Sequence, residues 1–201
     1  MRRRPAKKPC PEWYAYKLEC LAELEKLSES GLIDLFYGDQ SHVCQEGYVP
    51  YGWQFPGEDV FIAASKGARL NCFGLISLSN QCYWATTANS IDAAFIVEHL
   101  ERLYFQTTRP TCLVLDCARI HTGKQVQERR HYWQERGLYL LYLPPYSPQL
   151  NLAETLWRKL KTEWLTVEDY LEQDRLFYAT NRCLASVGTH LSINFSNFSL
   201  N

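Results

Sequence analysis

No run in this chain approaches the roughly 20 consecutive apolar residues that a membrane-spanning helix needs, and no apolar signal segment follows its first residues. A membrane or exported protein is therefore not expected; the reading is of a soluble, cytoplasmic chain. Useful cysteine spacings are missing too. Cys10, Cys20, Cys44, Cys72, Cys82, Cys112, Cys117 and Cys183 contain no Cys-x-x-Cys pair, and several fall inside apolar runs where cysteine behaves as a small hydrophobe. Neither a zinc site nor a disulfide framework is expected. There is no internal repeat. There is also no overall surplus of charge, with 21 basic and 22 acidic residues giving a net charge of −1.

That balance is unevenly laid out. Arg2, Arg3, Arg4, Lys7 and Lys8 crowd the start with no acid among them. Residues 1–10 read as a disordered basic arm, suited to nucleic-acid phosphates or simply to solvent. The other residues, 11–201, suffice for one domain with a full core. It divides into an N-terminal helix (11–30), a core (31–165) and a C-terminal helix (166–188).

The core changes pattern half way along. Residues 32–39, 43–49, 60–65, 71–78 and 82–87 are short, β-rich runs punctuated by Gly47, Gly52, Gly57 and Gly67, as in an antiparallel meander. Helix and strand then alternate: a helix from Asn89 or Ser90 to Gln106, the strand Thr111–Asp116, a helix from Thr122 to Gly137, the strand Leu138–Leu143, and a helix from Asn151 to Leu165. Thr166 and Asp169 have capping-box spacing for the last helix. Hairpin strands followed by helix–strand alternation describe an α/β, ribonuclease-H-like mixed sheet flanked by helices.

Asp39 closes the first strand and Asp116 the strand after the first crossover helix. In a mixed sheet these strands are neighbours, so both acids are expected at the carboxyl edge where such sheets place their sites. Each could instead be an ordinary turn former. Asp34 competes with Asp39 for the first position but faces the other side by alternation.

The third acid comes from YLLYLPPYSPQLNLAETLWRKLK, residues 139–161. Pro144, Pro145 and Pro148 stiffen the loop, Asn151 is a good N-cap, and Glu154 follows one turn in, with Arg158 and Lys161 on its face. Two plainer readings exist: a capping box from Glu154 back to Asn151, and a surface pair with Arg158. Three converging carboxylates without a histidine or cysteine cluster suit Mg²⁺ or Mn²⁺.

The segments FYGDQSH, GYVPYGWQFPGE, LVLDCARIH and LPPYSPQLNLAETLWRKLK resemble the catalytic domain of mariner-superfamily DDE transposases, and among them the bacterial insertion-sequence branch, over roughly residues 32–165. The resemblance implies that Asp39, Asp116 and Glu154 are the catalytic triad and hold two Mg²⁺ or Mn²⁺ ions. It implies DNA cleavage and strand transfer on DNA in a prokaryotic cytoplasm. His121 matches a histidine the family often carries, there to orient the nucleophile or touch the scissile phosphate. Arg119, Lys124, Arg158, Lys159 and Lys161 are candidates for a phosphate track. Trp157 and Trp164 share a stripe with Leu160 and read as core.

The chain departs from the family at Cys117, where asparagine is usual, at Gln40, where an acid is common, and at Leu152-Ala153. No helix-turn-helix reader is legible before Pro11, so a DNA-binding chain acting in trans and a homodimer within a synaptic complex are the implied partners. The competing readings are a hydrolytic ribonuclease-H-like nuclease and a decayed domain that only binds DNA or a partner.

Overall fold

The computed structural model describes residues 9–45, 56–57 and 67–195. The basic arm up to residue 8 and the expected strand at 60–65 lie outside the described residues. Five strands form one sheet in the order β3-β2-β1-β4-β5. They are β1 (Asp34–Cys44), β2 (Arg69–Ile76), β3 (Cys82–Thr87), β4 (Thr111–Leu115) and β5 (Leu138–Tyr142). β1–β2 and β2–β3 are antiparallel, whereas β1–β4 and β4–β5 are parallel. The expected mixed sheet is the sheet observed.

Alternation along the strands builds two cores. Leu35, Tyr37, Cys72 and Val114 point to one face, where α1 (Pro11–Glu29), α5 (Ala153–Lys159) and α6 (Gln173–Ser186) bring Leu21, Leu156, Trp157, Leu176 and Leu184. Phe36, Phe73, Leu113 and Leu115 point to the other, met by Ile96, Leu100, Val126 and Trp133 of α2 (Ala93–Tyr104) and α4 (Lys124–Glu135). Each fully buried Leu, Ile or Phe contributes about 1.5–3 kcal/mol, so the sheet is the rigid frame of the molecule.

Several element bounds differ from those expected. β1 does not stop at Asp39 but runs on to Cys44, because β2 supplies partners for the polar stretch as far as Cys44↔Arg69; the expected strand at 43–49 is, where described, the end of β1. α2 is capped by Asp92, whose side chain accepts from the Phe95 amide at 2.9 Å. The helix expected from Thr122 breaks at Gly123 into α3 (Arg119–Thr122) and α4. The expected 151–165 helix is a 3₁₀ turn at Pro148–Leu150, α5, and a π turn at Leu160–Trp164. The Thr166–Asp169 capping box forms, but on a 3₁₀ turn, Val167–Tyr170, that precedes α6.

Candidate active site

Register explains why two of the acids meet. Tyr37 pairs with Val114 across the parallel β1–β4 ladder, and both face the core under α5. Two residues further along each chain come Asp39 and Asp116, at the same level and on the same side of the sheet. Asp34, the rival, lies at the start of β1 and pairs with Arg109 at 3.5 Å.

Glu154 is brought over this edge by three ties between β1–β2 and the segment 151–161. The buried Asn151 donates from Nδ2 to the Gly38 carbonyl at 2.9 Å and accepts the Ala153 amide at 3.2 Å. Trp157 lies on Gly74, the residue opposite Asp39 in the ladder; a Cβ there would sit 2.8 Å from Trp157 Cη2. Lys161 donates from Nζ to Ser41 Oγ at 2.7 Å. Glu154 stands one helical turn before Trp157 and so projects where Asp39 is. Among the described residues it makes neither the capping-box bond to Asn151 nor an ion pair with Arg158, so the two plainer readings of this residue fall.

Asp39, Asp116 and Glu154 line one cavity of about 310 Å³, walled by Leu143 to Pro148 and by Asn151. Tyr146, in that wall, has a positive φ of 62°, an uncommon conformation for a large side chain. Burial pushes the Asp39 carboxyl up to about 7, reinforced by Glu154 and Asp116 and only partly countered by the Gln40 amide and Lys161. Burial in the cavity also raises Glu154, with Lys161 opposing and Asp116 reinforcing. Burial lowers Lys161, against the pull of nearby thiols and of Asp39 and Glu154.

Asp116 behaves differently. Burial alone would raise it, but His121 and the Ala118 amide outweigh that and hold it below the usual carboxylate range. His121 is fully buried; its Nδ1 lies 2.6 Å from Asp116 Oδ1, and its Nε2 has no partner among the described residues. The tautomer with the proton on Nδ1 satisfies Asp116 and leaves only a lone pair unmet. Cys117 Sγ donates to the Leu143 carbonyl at 3.1 Å and joins the ends of β4 and β5.

The other basic residues named from the sequence divide. Arg158 and Lys161 border the acids in an adjoining cavity, and Arg119 is exposed just beyond Ala118. Lys159 is paired with Glu163 at 2.6 Å and Lys124 with Glu128 at 3.6 Å. Trp157 is buried and Trp164 packs against the same core. Sequence reasoning missed Ser41 and Gly74, although Ser41 stands two residues from Asp39 and so on its face.

An all-oxygen donor set with surplus negative charge fits a hard divalent cation. As they stand, no three carboxylate, imidazole or thiol groups among the described residues are placed to hold one ion.

The model of the DDE superfamily endonuclease family matches residues 34–176. No curated protein matches the sequence. Among solved structures, the fold is similar to Mos1 transposase in a paired-end complex with the left transposon end, at 16% identity and a TM-score of 0.54 over 94% of this chain and 66% of that one. It is also similar to the Mos1 mariner paired-end complex with Mn, at 17% identity and a TM-score of 0.55 over 95% of this chain and 67% of that one. A third likeness is the catalytic core domain of BIV integrase, at 16% identity and a TM-score of 0.51 over 78% of this chain and 84% of that one. At such identities the likeness is one of fold. The chain spans 66% of the length of the first Mos1 chain.

Proposed function

Because this chain belongs to the DDE superfamily endonucleases, we propose that it is the catalytic domain of a transposase of the bacterial insertion-sequence type. It cuts DNA and transfers the strand by metal-dependent phosphoryl transfer. The observation that carries this reading is the convergence of Asp39, Asp116 and Glu154, from three separate elements, on one cavity. In this reading all three hold Mg²⁺ or Mn²⁺. When bound, the metal supplies positive charge to the attacking and leaving oxygens.

The chain's own groups prepare the site. His121 occupies one oxygen of Asp116 and leaves the other to the cavity, as a hydrogen-bonded partner orients a metal-binding carboxylate. His121 is buried, so it serves DNA through Asp116 rather than by contact. Lys161, held by Ser41, offsets the mutual repulsion of Asp39 and Glu154 and offers charge to a phosphate. Asn151 fixes the loop to β1. Arg119 and Arg158 stand at the rim as phosphate contacts. A separate DNA-binding chain and a second copy of this one complete the assembly in which strand transfer occurs.

A domain that only binds DNA is the second reading, favoured by the spacing of the acids, which as they stand do not form a ready-made ion site. Nicking of supercoiled plasmid in Mn²⁺ separates the two. The unsubstituted chain is expected to nick, and Asp116→Asn and Glu154→Gln to lose at least about 100-fold, as removal of a metal ligand or of a charge-stabilising group does. Equal nicking by all three would reject the triad. No nicking by any of them, with the DNA-binding chain also supplied, would leave the binding domain.

A further inference from the structure

We propose that a bound DNA strand leaves the carboxylate cavity around β1 and runs on over the β1–β2 ladder beside Ala88, Ser90 and Ile91, where Arg69 contacts its phosphates. The inference rests on the nucleic-acid reading above and assigns the strand its route.

Three cavities follow one another, each sharing lining residues with the next. The carboxylate cavity shares Asp39 and Glu154 with one of about 380 Å³ that also holds Arg158 and Lys161. That cavity shares Gln40 and Ser41 with a third, of about 480 Å³, lined further by His42, Arg69, Asn71 and Ser90. Among the described residues, no acid lines the third cavity. Arg69 is the cation among the described residues that line it, and burial first, then Arg69 and Lys161, push the neighbouring His42 imidazole down.

Arg69 is held differently from the arginines that acids pair elsewhere in the fold. Arg129 pairs with Glu101 at 2.6 Å and Arg175 with Asp169 at 3.7 Å. Arg69 instead donates from Nε to Asn71 Oδ1 at 2.8 Å, and Asn71 is itself anchored through Nδ2 on the Asn89 carbonyl at 2.9 Å. A neutral amide thus orients the guanidinium, and no carboxylate among the described residues neutralises it. Its remaining N–H groups form the fork that suits a phosphate. Arg69 pairs with Cys44, five residues along β1 from Asp39 and so on the opposite face of the sheet; the DNA strand reaches it around the edge of β1 that, among the described residues, lies beyond the last β4 pairing, Tyr37↔Val114. From Asp39 to Cys44 is about 17 Å of β-strand, or roughly five phosphates of one DNA strand along the duplex axis.

The test is anisotropy of a labelled duplex oligonucleotide with the full chain in EDTA, from about 50 to 200 mM salt. Arg69→Ala is expected to weaken binding several-fold and to flatten the slope of log affinity against log salt by about 0.9. Arg69→Lys should keep the slope. Lys26→Ala, which removes the same charge from an exposed pair on α1, should change neither. An Arg69→Ala protein that binds with the unsubstituted slope overturns the route, and so does equal flattening by Lys26→Ala. Flattening by Lys124→Ala alone would send the strand along α4 instead and overturn it too. If the unsubstituted chain binds no duplex at any salt, the nucleic-acid reading and the route fall together.

Discussion

His99 and His121 lie against the same ring, Phe73, with centroids 5.3 and 5.8 Å away, yet they do opposite things. His121 has a carboxylate to bond and serves the site. His99 has an Nε2 without a partner among the described residues and an apolar shell of α2 and sheet residues. Burial, helped by Arg102, holds its imidazole down at about 4, and the Tyr83 backbone only partly offsets this. The folded pKa is below the unfolded value of about 6.5, so the unfolded chain binds the proton more readily. His99 therefore costs nothing above pH of about 6.5, and stability falls as pH drops towards 4, by at most about 3 kcal/mol. Urea midpoints at neutral pH and near pH 4.5 should show this loss, and His99→Gln should remove a large part of it. An identical pH dependence in the variant would mean that other groups carry the acid sensitivity.

At the scale of elements, the site depends on how the segment 151–161 seats on β1 and β2. Trp157 fits only because residue 74 is glycine. Gly74→Ala is expected to cost about 1–3 kcal/mol by overpacking and to lower nicking further than that loss explains, since Trp157 and Glu154 share a helix. Trp157→Phe removes the ring atoms that the new methyl would strike. Gly74→Ala should therefore cost less in that background, and a double-mutant cycle in urea reads the coupling. Additive effects would show that Trp157 is not seated there. The same seating marks what was legible in the sequence. Asp39, Asp116 and Glu154 could be brought together on paper because hydrophobic period gives the elements and their faces, the mixed-sheet arrangement implies neighbouring strands, and the resemblance to DDE transposases implies the triad. The extent of β1 could not, since Gly38, Asp39 and Gln40 look like a turn and only pairing with β2 keeps them extended. Likewise Asn151 read as a helix cap; its bond to Gly38 joins residues 113 positions apart, and no local signal announces it.

For the molecule as a whole, this arrangement sets function against stability. A chain of net charge −1 has gathered three carboxylates on the most rigid part of its fold, and burial with mutual repulsion raises both Asp39 and Glu154. A raised carboxyl loses stability as pH climbs from its unfolded value of about 4 through its folded value, here about 7 for Asp39. Near pH 8, without metal, the site thus works against the fold. Glu154 lines the cavity but keeps much of its surface in solvent, so solvent screening keeps its share well under about 1 kcal/mol. Two melting experiments at that pH follow. In EDTA, Glu154→Gln should melt slightly above the unsubstituted chain, by roughly 1–2 °C for a domain of this size. Added Mn²⁺ should reverse the order. An ion that binds only the folded chain stabilises it by about 2.7 kcal/mol at 100 times its dissociation constant, and the variant, short of one ligand, should gain much less. Ca²⁺ and Mg²⁺ series would rank the preference of the donor set. A chain whose melting ignores Mn²⁺, and whose Glu154→Gln form melts no higher in EDTA, has carboxylates that neither repel one another nor share an ion, and the metal-dependent reading fails at its physical root.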